Sequence, residues 1–157
     1  MIDDATFKAA MSHFASGVTV VTSSYQGEDF GMTVASFASL SLRPPLVLVC
    51  IESNAKSHAA IAASSTFGVS ILGLSQGDIS NRFASRAGDK FAETRTRRGE
   101  LGVPLIEGAI CTLECRVTEQ LPGGDHSIFV GEVIDARMED GQPLVYWRSG
   151  YRELTPS

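Results

Sequence analysis

The sequence predicts a mainly β protein, a closed and largely antiparallel barrel with a few peripheral helices. Three observations point there. Roughly seven segments are β-branched or alternate apolar with polar residues, and Gly, Pro or Asp turns separate them. Only three short stretches carry helical spacing. Strands and helices do not alternate one for one, which sets aside a doubly wound parallel sheet. Closing an antiparallel sheet on itself then removes its exposed edges.

The elements follow in order. Asp3, Asp4 and Thr6 supply caps and negative charge at a helix start. Phe7, Met11 and Phe14 then recur at spacings of four and three, giving one apolar helix face that Gly17 ends. Val18 to Thr22 is β-branched throughout, and Gly27-Glu28-Asp29 forms a turn into a strand around Thr33. Pro44-Pro45 divides this strand from the apolar run Leu46 to Ile51. Asn54 is positioned to cap an Ala-rich helix over 55–63, and Phe67 to Leu72 returns to strand. Ser75 to Asp78 has capping-box spacing, with Asp in place of Glu, and opens a helix through Phe83. From Ala87 to Gly108 charge, Gly and one Pro predict mostly loop. Beyond it Cys111, Leu113, Cys115 and Val117 share one strand face, with Thr112, Glu114 and Arg116 on the other. Gly123-Gly124 turns into a strand over 128–136, and Leu144 to Trp147 is the last. No repeat, linker or low-complexity stretch interrupts this, so a single domain over 1–157 is expected.

Composition narrows the function. A chain of 157 residues, 43% hydrophobic and 20% charged, is long enough to bury about two thirds of its unfolded surface in one core. A net charge of −5 argues against a nucleic-acid surface, which needs a basic stripe. Arg82, Arg86, Lys90, Arg95, Arg97 and Arg98 make the middle of the chain locally basic; this is either a solvated helix and loop or a surface that meets a phosphorylated ligand. No apolar run approaches membrane-spanning length and no basic-then-apolar leader is present, so the cytoplasm is the expected location. Cys50, Cys111 and Cys115 are too few and wrongly spaced for a disulfide framework, and the three His lie too far apart in sequence to suggest zinc.

The segment Gly31 to Ser41 stands out. Gly, Ala, Ser and Thr occupy positions that Val or Ile would fill better, leaving room beside the backbone. Exposed N–H groups and hydroxyls in such a gap suit a flat, polar-edged ligand carrying phosphate. A twisted strand with a Gly bend accounts for the same residues equally well.

Several motifs in fixed order extend this reading. They are Phe-Ala-Ser-Gly-Val-Thr-Val-Val-Thr from Phe14, Gly-Met-Thr from Gly31 and Ser-Leu-Ser from Ser39. Pro-Pro-Leu-Val-Leu-Val follows from Pro44, then Asn-Arg-Phe-Ala-Ser from Asn81. Gly-Gly-Asp-His-Ser-Ile-Phe-Val-Gly-Glu-Val starts at Gly123 and Pro-Leu-Val-Tyr-Trp-Arg-Ser-Gly-Tyr at Pro143. No piece is specific alone; together, from Phe7 to Tyr151, the chain resembles the flavin reductase family of two-component monooxygenases. The resemblance implies an FMN-binding split β-barrel and a homodimer. It also implies hydride transfer from NADH or NADPH to FMN or FAD, and release of reduced flavin to a separate flavin-dependent oxygenase.

It further implies site residues. Thr33, Val34, Ala35 and Ser36 would lie along the isoalloxazine edge, with Ser39 continuing towards the ribityl chain. Donors there matter because hydride arriving at flavin N5 puts negative charge on the N1–C2=O side. Val34-Ala35 stands where relatives commonly carry Ala followed by Asn, Ser or Gln, so only the backbone N–H of Ala35 is on offer. Lys56 and Ser57, in the first turn of a helix, suit phosphate; a solvated helix start is the alternative. Arg82, Phe83, Ala84 and Ser85 match the phosphate and adenine end, with Lys90 in the loop beyond, although helical spacing equally makes Phe83 core. His126 matches a nicotinamide-contacting position, where positioning is its main service because hydride transfer needs no acid or base at carbon; without the resemblance, a lone His at a strand entrance is more often structural. Tyr151 would close the nicotinamide side, or else packs the C-terminal segment, while Asp125 makes a turn contact. No metal site is expected. No Gly-x-Gly-x-x-Gly follows a strand, so the nicotinamide nucleotide would bind in the barrel cleft. Two other readings remain: an oxidoreductase with fixed flavin acting on another substrate, and a non-catalytic flavin carrier or regulatory module.

Overall fold

A computed structural model describes residues 1–86, 88–155 and 157. The chain begins with helix α1 (Asp4–Met11), where the Asp3 carboxylate accepts the Thr6 N–H at 2.8 Å. Short β1 (Ser16–Gly17) leads into β2 (Thr19–Tyr25), β3 (Glu28–Val34), β4 (Phe37–Ser41) and β5 (Leu46–Glu52). Helix α2 (Lys56–Ser64), β6 (Thr66–Ile71) and helix α3 (Gly77–Ala84) follow. The hairpin β7 (Thr96–Arg98) and β8 (Pro104–Ile106) precedes two long strands, β9 (Cys111–Gly123) and β10 (His126–Met138). β11 (Val145–Trp147) and β12 (Gly150–Arg152) end the chain's regular structure.

Seven strands form one sheet in the order β3-β2-β6-β9-β10-β5-β4, and every neighbouring pair in it is antiparallel. The fold is therefore mainly β, as expected. Closure is not present in the hydrogen-bonded ladder: among the described residues, the two edges β3 and β4 do not pair, although only Ala35 and Ser36 separate them in the chain. Strands β1, β11 and β12 form a separate small sheet.

Alternation builds the core. Val47, Val49 and Ile51 of β5 are buried while Leu46, Leu48 and Cys50 are half-buried on the other face. Val21, Phe67, Val69 and Phe129 complete the main cluster with Ile61 of α2. A second cluster joins Val18, Val20, Leu72, Phe83, Ile106 and Leu144. Burial, and then the neighbouring Glu114 charge, push the Cys115 thiol up to about 12.

Several local expectations are corrected. The apolar face of α1 is not covered: its described residues include none that is buried, and Phe14, beyond the helix end, is 80% exposed. The helix stops at Met11, before Gly17, because the Ser12 hydroxyl and the His13 ring close on the Ala9 carbonyl. Asn54 and Ser75 are not caps; Ala55 and Gln76 hold those positions, with no side-chain cap bond among the described residues. Gln76 instead ties Gly73 to Glu107 through its amide. The stretch from Ala87 to Gly108, expected to be mostly loop, is so over 88–108, with the short β7–β8 hairpin inside it; Ala87 lies outside the described residues.

That hairpin also decides the burial of one face of β9: Thr112 and Glu114 are buried where the hairpin lies over them. The Glu114 carboxylate accepts the N–H groups of Glu100 and Leu101 at 3.0 and 2.9 Å. Gly99 permits this approach, since a Cβ there would meet Glu114 Oε2 at 1.9 Å. Arg116 stays exposed.

Candidate active site

A cleft of about 1030 Å³ opens beside the β3 edge. Its walls are residues 27–33 of β3 and its turn, Glu52 at the end of β5, the Asn54–Ser57 start of α2, and two stretches after α3 begins to end, 83–86 and 88–91. Gly31 explains why α3 can lie against β3. A Cβ on it would fall 2.8 Å from the Phe83 ring, so only glycine allows this approach. Phe91 meets Phe83 edge-on with centroids 5.1 Å apart. The Thr33 hydroxyl donates to the Ser80 carbonyl at 2.6 Å. Lys90 donates to the carbonyls of Gly31 and Phe83 at 3.2 and 3.1 Å, and burial lowers the pKa of its ammonium group.

Thr33, Lys56, Ser57, Phe83, Ala84, Ser85 and Lys90 all line this one cleft. Ala55 caps α2 without a side-chain bond, which leaves the first-turn N–H groups without a side-chain cap partner there, and Lys56 and Ser57 of that turn line the cleft. A helix start of this kind, with a lysine on it, fits a phosphate. Phe83 contributes its position and backbone, because its ring is core.

Other expected residues lie elsewhere. Val34 is 4% exposed and belongs to the main core. Ala35, Ser36 and Ser39 are exposed at the β3–β4 seam, where the Ser36 hydroxyl donates to the Cys50 carbonyl at 3.1 Å. Arg82 turns away from the cleft and donates to Thr94 Oγ1 at 2.8 Å and the Glu93 carbonyl at 3.2 Å. Tyr151 is not in the cleft. It packs into the second core cluster, and its hydroxyl lies 2.8 Å from Ser80 Oγ and 2.7 Å from Asn81 Oδ1, consistent with packing of the C-terminal segment.

His126 opens β10 directly opposite Glu52, a residue of the cleft wall. Paired residues on neighbouring strands project to the same face, so His126 is one strand beyond the cleft's edge. Its Nδ1 is 2.7 Å from the Asp125 carboxylate. That bond and the His126 charge hold the Asp125 carboxyl below its ordinary value. The Asp125 carbonyl also accepts the Ser53 N–H at 3.0 Å, which fixes the turn to β5.

Sequence reasoning missed Glu52, Asp29 and Phe91, and had Arg86 only as one member of a locally basic stretch. Glu52 and Arg86 approach to 3.8 Å across the cleft rim, and Arg98 reaches Asp29 at 2.5 Å. A signal existed for Glu52 alone: it is the single charge ending an apolar strand and it precedes a helix.

The molecule is thus mainly β, with a large cleft set against a helix start that carries no side-chain cap bond. The flavin reductase like domain pattern matches residues 11–155, and the chain belongs to that family. It is similar to the reductase component of 4-nitrophenol 4-monooxygenase/4-nitrocatechol 2-monooxygenase from Rhodococcus opacus. The two are 40% identical over 155 residues, 99% of this chain and 83% of that one. An NADH-dependent flavin reductase from Rhodococcus sp is 42% identical over 154 residues, 94% of this chain and 84% of that one. The solved NADH:FAD oxidoreductase of Streptomyces globisporus C-1027, in complex with NAD and FAD fragments, has a TM-score of 0.94 at 38% identity. That match covers 99% of this chain and 97% of the other.

Proposed function

We propose that this chain is an NAD(P)H:flavin oxidoreductase that reduces FMN or FAD and passes the reduced flavin to a separate monooxygenase. The observation that carries this is the cleft: seven residues matched to the family's flavin-binding positions line one space. At about 1030 Å³ it stands at the upper end of small-molecule sites, large enough for a flavin and part of a second nucleotide. The flavin supplies a ring that accepts hydride and can release it to oxygen chemistry elsewhere.

The chain's own residues bind and orient. Lys56, Ser57 and the first turn of α2 hold phosphate. Lys90 fixes the floor by tying β3 to α3. From Thr33 in the cleft the ring edge and ribityl chain would run on to the adjoining β3–β4 seam, where Ala35, Ser36 and Ser39 are exposed, and Ala84 and Ser85 would follow the tail. His126, backed by Asp125, orients the carboxamide of the nicotinamide. Positioning of this kind replaces acid–base chemistry at carbon.

The sheet curls into a split barrel whose split is the β3–β4 seam, and the whole chain forms one domain. It works as a homodimer in the cytoplasm, with no nucleic acid or membrane partner. Support for the dimer is an apolar outer sheet face: Leu46, Leu48 and Cys50 on β5, continued by Ile128 and the exposed Leu121 in register with Cys50. Ser36 bonds this row's backbone at Cys50, so a second subunit on the face supplies the wall that the seam lacks. Among the described residues no helix is long and apolar enough to cross a membrane.

The test is NADH and NADPH oxidation by dialysed protein with and without added FMN or FAD. Turnover should depend on added flavin, and flavin should exchange freely. Flavin retained through turnover without that dependence favours the fixed-flavin reading; no nicotinamide oxidation under any condition favours the carrier.

A further inference from the structure

Two residues after the cleft-facing Lys56, the ring of His58 turns into the sheet. His58 Nε2 and the Ser127 hydroxyl share a hydrogen bond of 2.8 Å. The same ring meets Phe129 edge-on, with centroids 5.1 Å apart. Phe129 is fully buried and Ser127 is 9% exposed, so this polar pair sits on the edge of the main apolar core. Burying the Ser127 hydroxyl is unfavourable without a partner, which the half-buried His58 ring supplies, and an apolar pair of similar shape serves packing equally well. What the polar pair adds is direction. A hydrogen bond fixes separation and angle, whereas apolar contacts slide.

Ser127 is the residue after His126. Successive strand side chains point to opposite faces, so holding Ser127 inward aims His126 outward. The register carries the link across β5, where Ser127 pairs with Ile51 and His126 with Glu52 of the cleft wall. One side chain of α2 therefore connects the helix start that faces the cleft to the strand start that carries His126.

We propose that His58 is a positioning residue for hydride transfer. Through Ser127 it holds the start of β10, and with it His126, at a fixed offset from the α2 turn that binds flavin phosphate. This rests on the reading of His126 given above. Reacting atoms must come within roughly 3–3.5 Å in line, and a misplacement of about 1 Å can cost about a hundredfold in rate. A bond that sets this offset acts on the nicotinamide step without touching either ligand.

The variants His58→Leu, His58→Gln, Ser127→Ala, the Leu/Ala double variant and His126→Ala distinguish the outcomes. Each is measured for kcat and KM with NADH at saturating FMN, for FMN affinity by fluorescence titration, and for Tm. His58→Leu and Ser127→Ala should each lower kcat/KM for NADH about tenfold, the worth of one positioning bond. The double variant should lose no more than either single one, FMN affinity should stay within about twofold, and His58→Gln should restore most of the rate. Wild-type NADH kinetics in Ser127→Ala overturn the proposal even if His58→Leu fails to fold. So does a loss in which FMN affinity, Tm and rate fall together without rescue by Gln. A slow His126→Ala beside normal His58 and Ser127 variants refutes the His58 link alone. A normal His126→Ala refutes the reading of His126 and this proposal with it.

Discussion

Gly31→Ala is the sharpest perturbation of the cleft. The added methyl would stand 2.8 and 2.9 Å from two atoms of the Phe83 ring and 3.1 Å from Phe91 Cζ. All three contacts are with rings in the second core cluster or packed on it, so none of them is the free end of a flexible chain. Either α3 lifts from β3 or Phe83 leaves its rotamer. Overpacking of this kind costs about 1–3 kcal/mol. For a chain of this length that is a Tm drop of about 2–12 °C. Lifting α3 also lengthens the Lys90 bonds to Gly31 and Phe83, so FMN affinity should fall with Tm. A second substitution isolates the cause. Phe83→Leu removes the ring atoms that the methyl meets, and the double variant should be less destabilised than the two single costs added, by about 1 kcal/mol or more. Urea melts and FMN titrations of the four proteins measure this. Strict additivity, or a Gly31→Ala protein with wild-type Tm and FMN affinity, would refute close packing of α3 on β3 as the origin of the cleft wall.

The remaining tests are simpler. Glu114→Gln leaves one of the Glu100 and Leu101 N–H groups without its acceptor and should cost about 1–3 kcal/mol, read as a lower urea midpoint with unchanged m. Lys90→Met keeps the apolar stem but loses two charged bonds to carbonyls; it should cost a similar amount, about 1–3 kcal/mol, and weaken FMN binding. For Asp125 the carboxyl value is lowered by His126, so its contribution is present above the ordinary 3.8 and fades as pH falls through the lowered value. Asp125→Asn should therefore separate from wild type in Tm above about pH 4 and converge with it at lower pH; a difference that grows on acidification would reverse the sign. His126→Ala should slow hydride transfer or raise the KM for NADH, with FMN affinity little changed. The expected loss is on the order of 1–3 kcal/mol, about ten- to a hundredfold, and stopped-flow flavin reduction reads it directly.

Most strands were legible because β-branched and alternating residues report a half-buried sheet directly. β5 alternates in burial as its residues lie on two faces, even though the run Leu46 to Ile51 is apolar throughout. What failed were features decided at a distance. Alternation puts Thr112, Glu114 and Arg116 on one face of β9, but which of them is buried depends on a hairpin from 96–106 that covers the first two, and no local pattern encodes that cover. The spacing of Phe7, Met11 and Phe14 is a real apolar stripe, yet all three stay exposed and none joins a core cluster of the described residues. In the site, residues placed by short-range logic at the start of α2 and the end of α3 converge on the cleft. Tyr151 and Arg82 do not, because their long side chains find other partners at Ser80, Asn81 and Thr94.

The cleft and the unclosed ladder have one cause. An edge strand exposes a row of N–H and C=O groups and invites pairing with another chain. β3 is such an edge, and the chain shields it with α3 and Lys90 instead of another strand. A helix cannot satisfy a strand edge group by group, so a gap remains along residues 27–33. That gap runs along the β3 edge on one side and along the Phe91 end of the Phe83–Phe91 pair on the other, a mixture of polar and apolar wall typical of small-molecule sites. Replacing α3 with a strand would stabilise the edge and abolish the site. Gly31, with no chemistry of its own, sets how near the helix comes, and so how wide the cleft is.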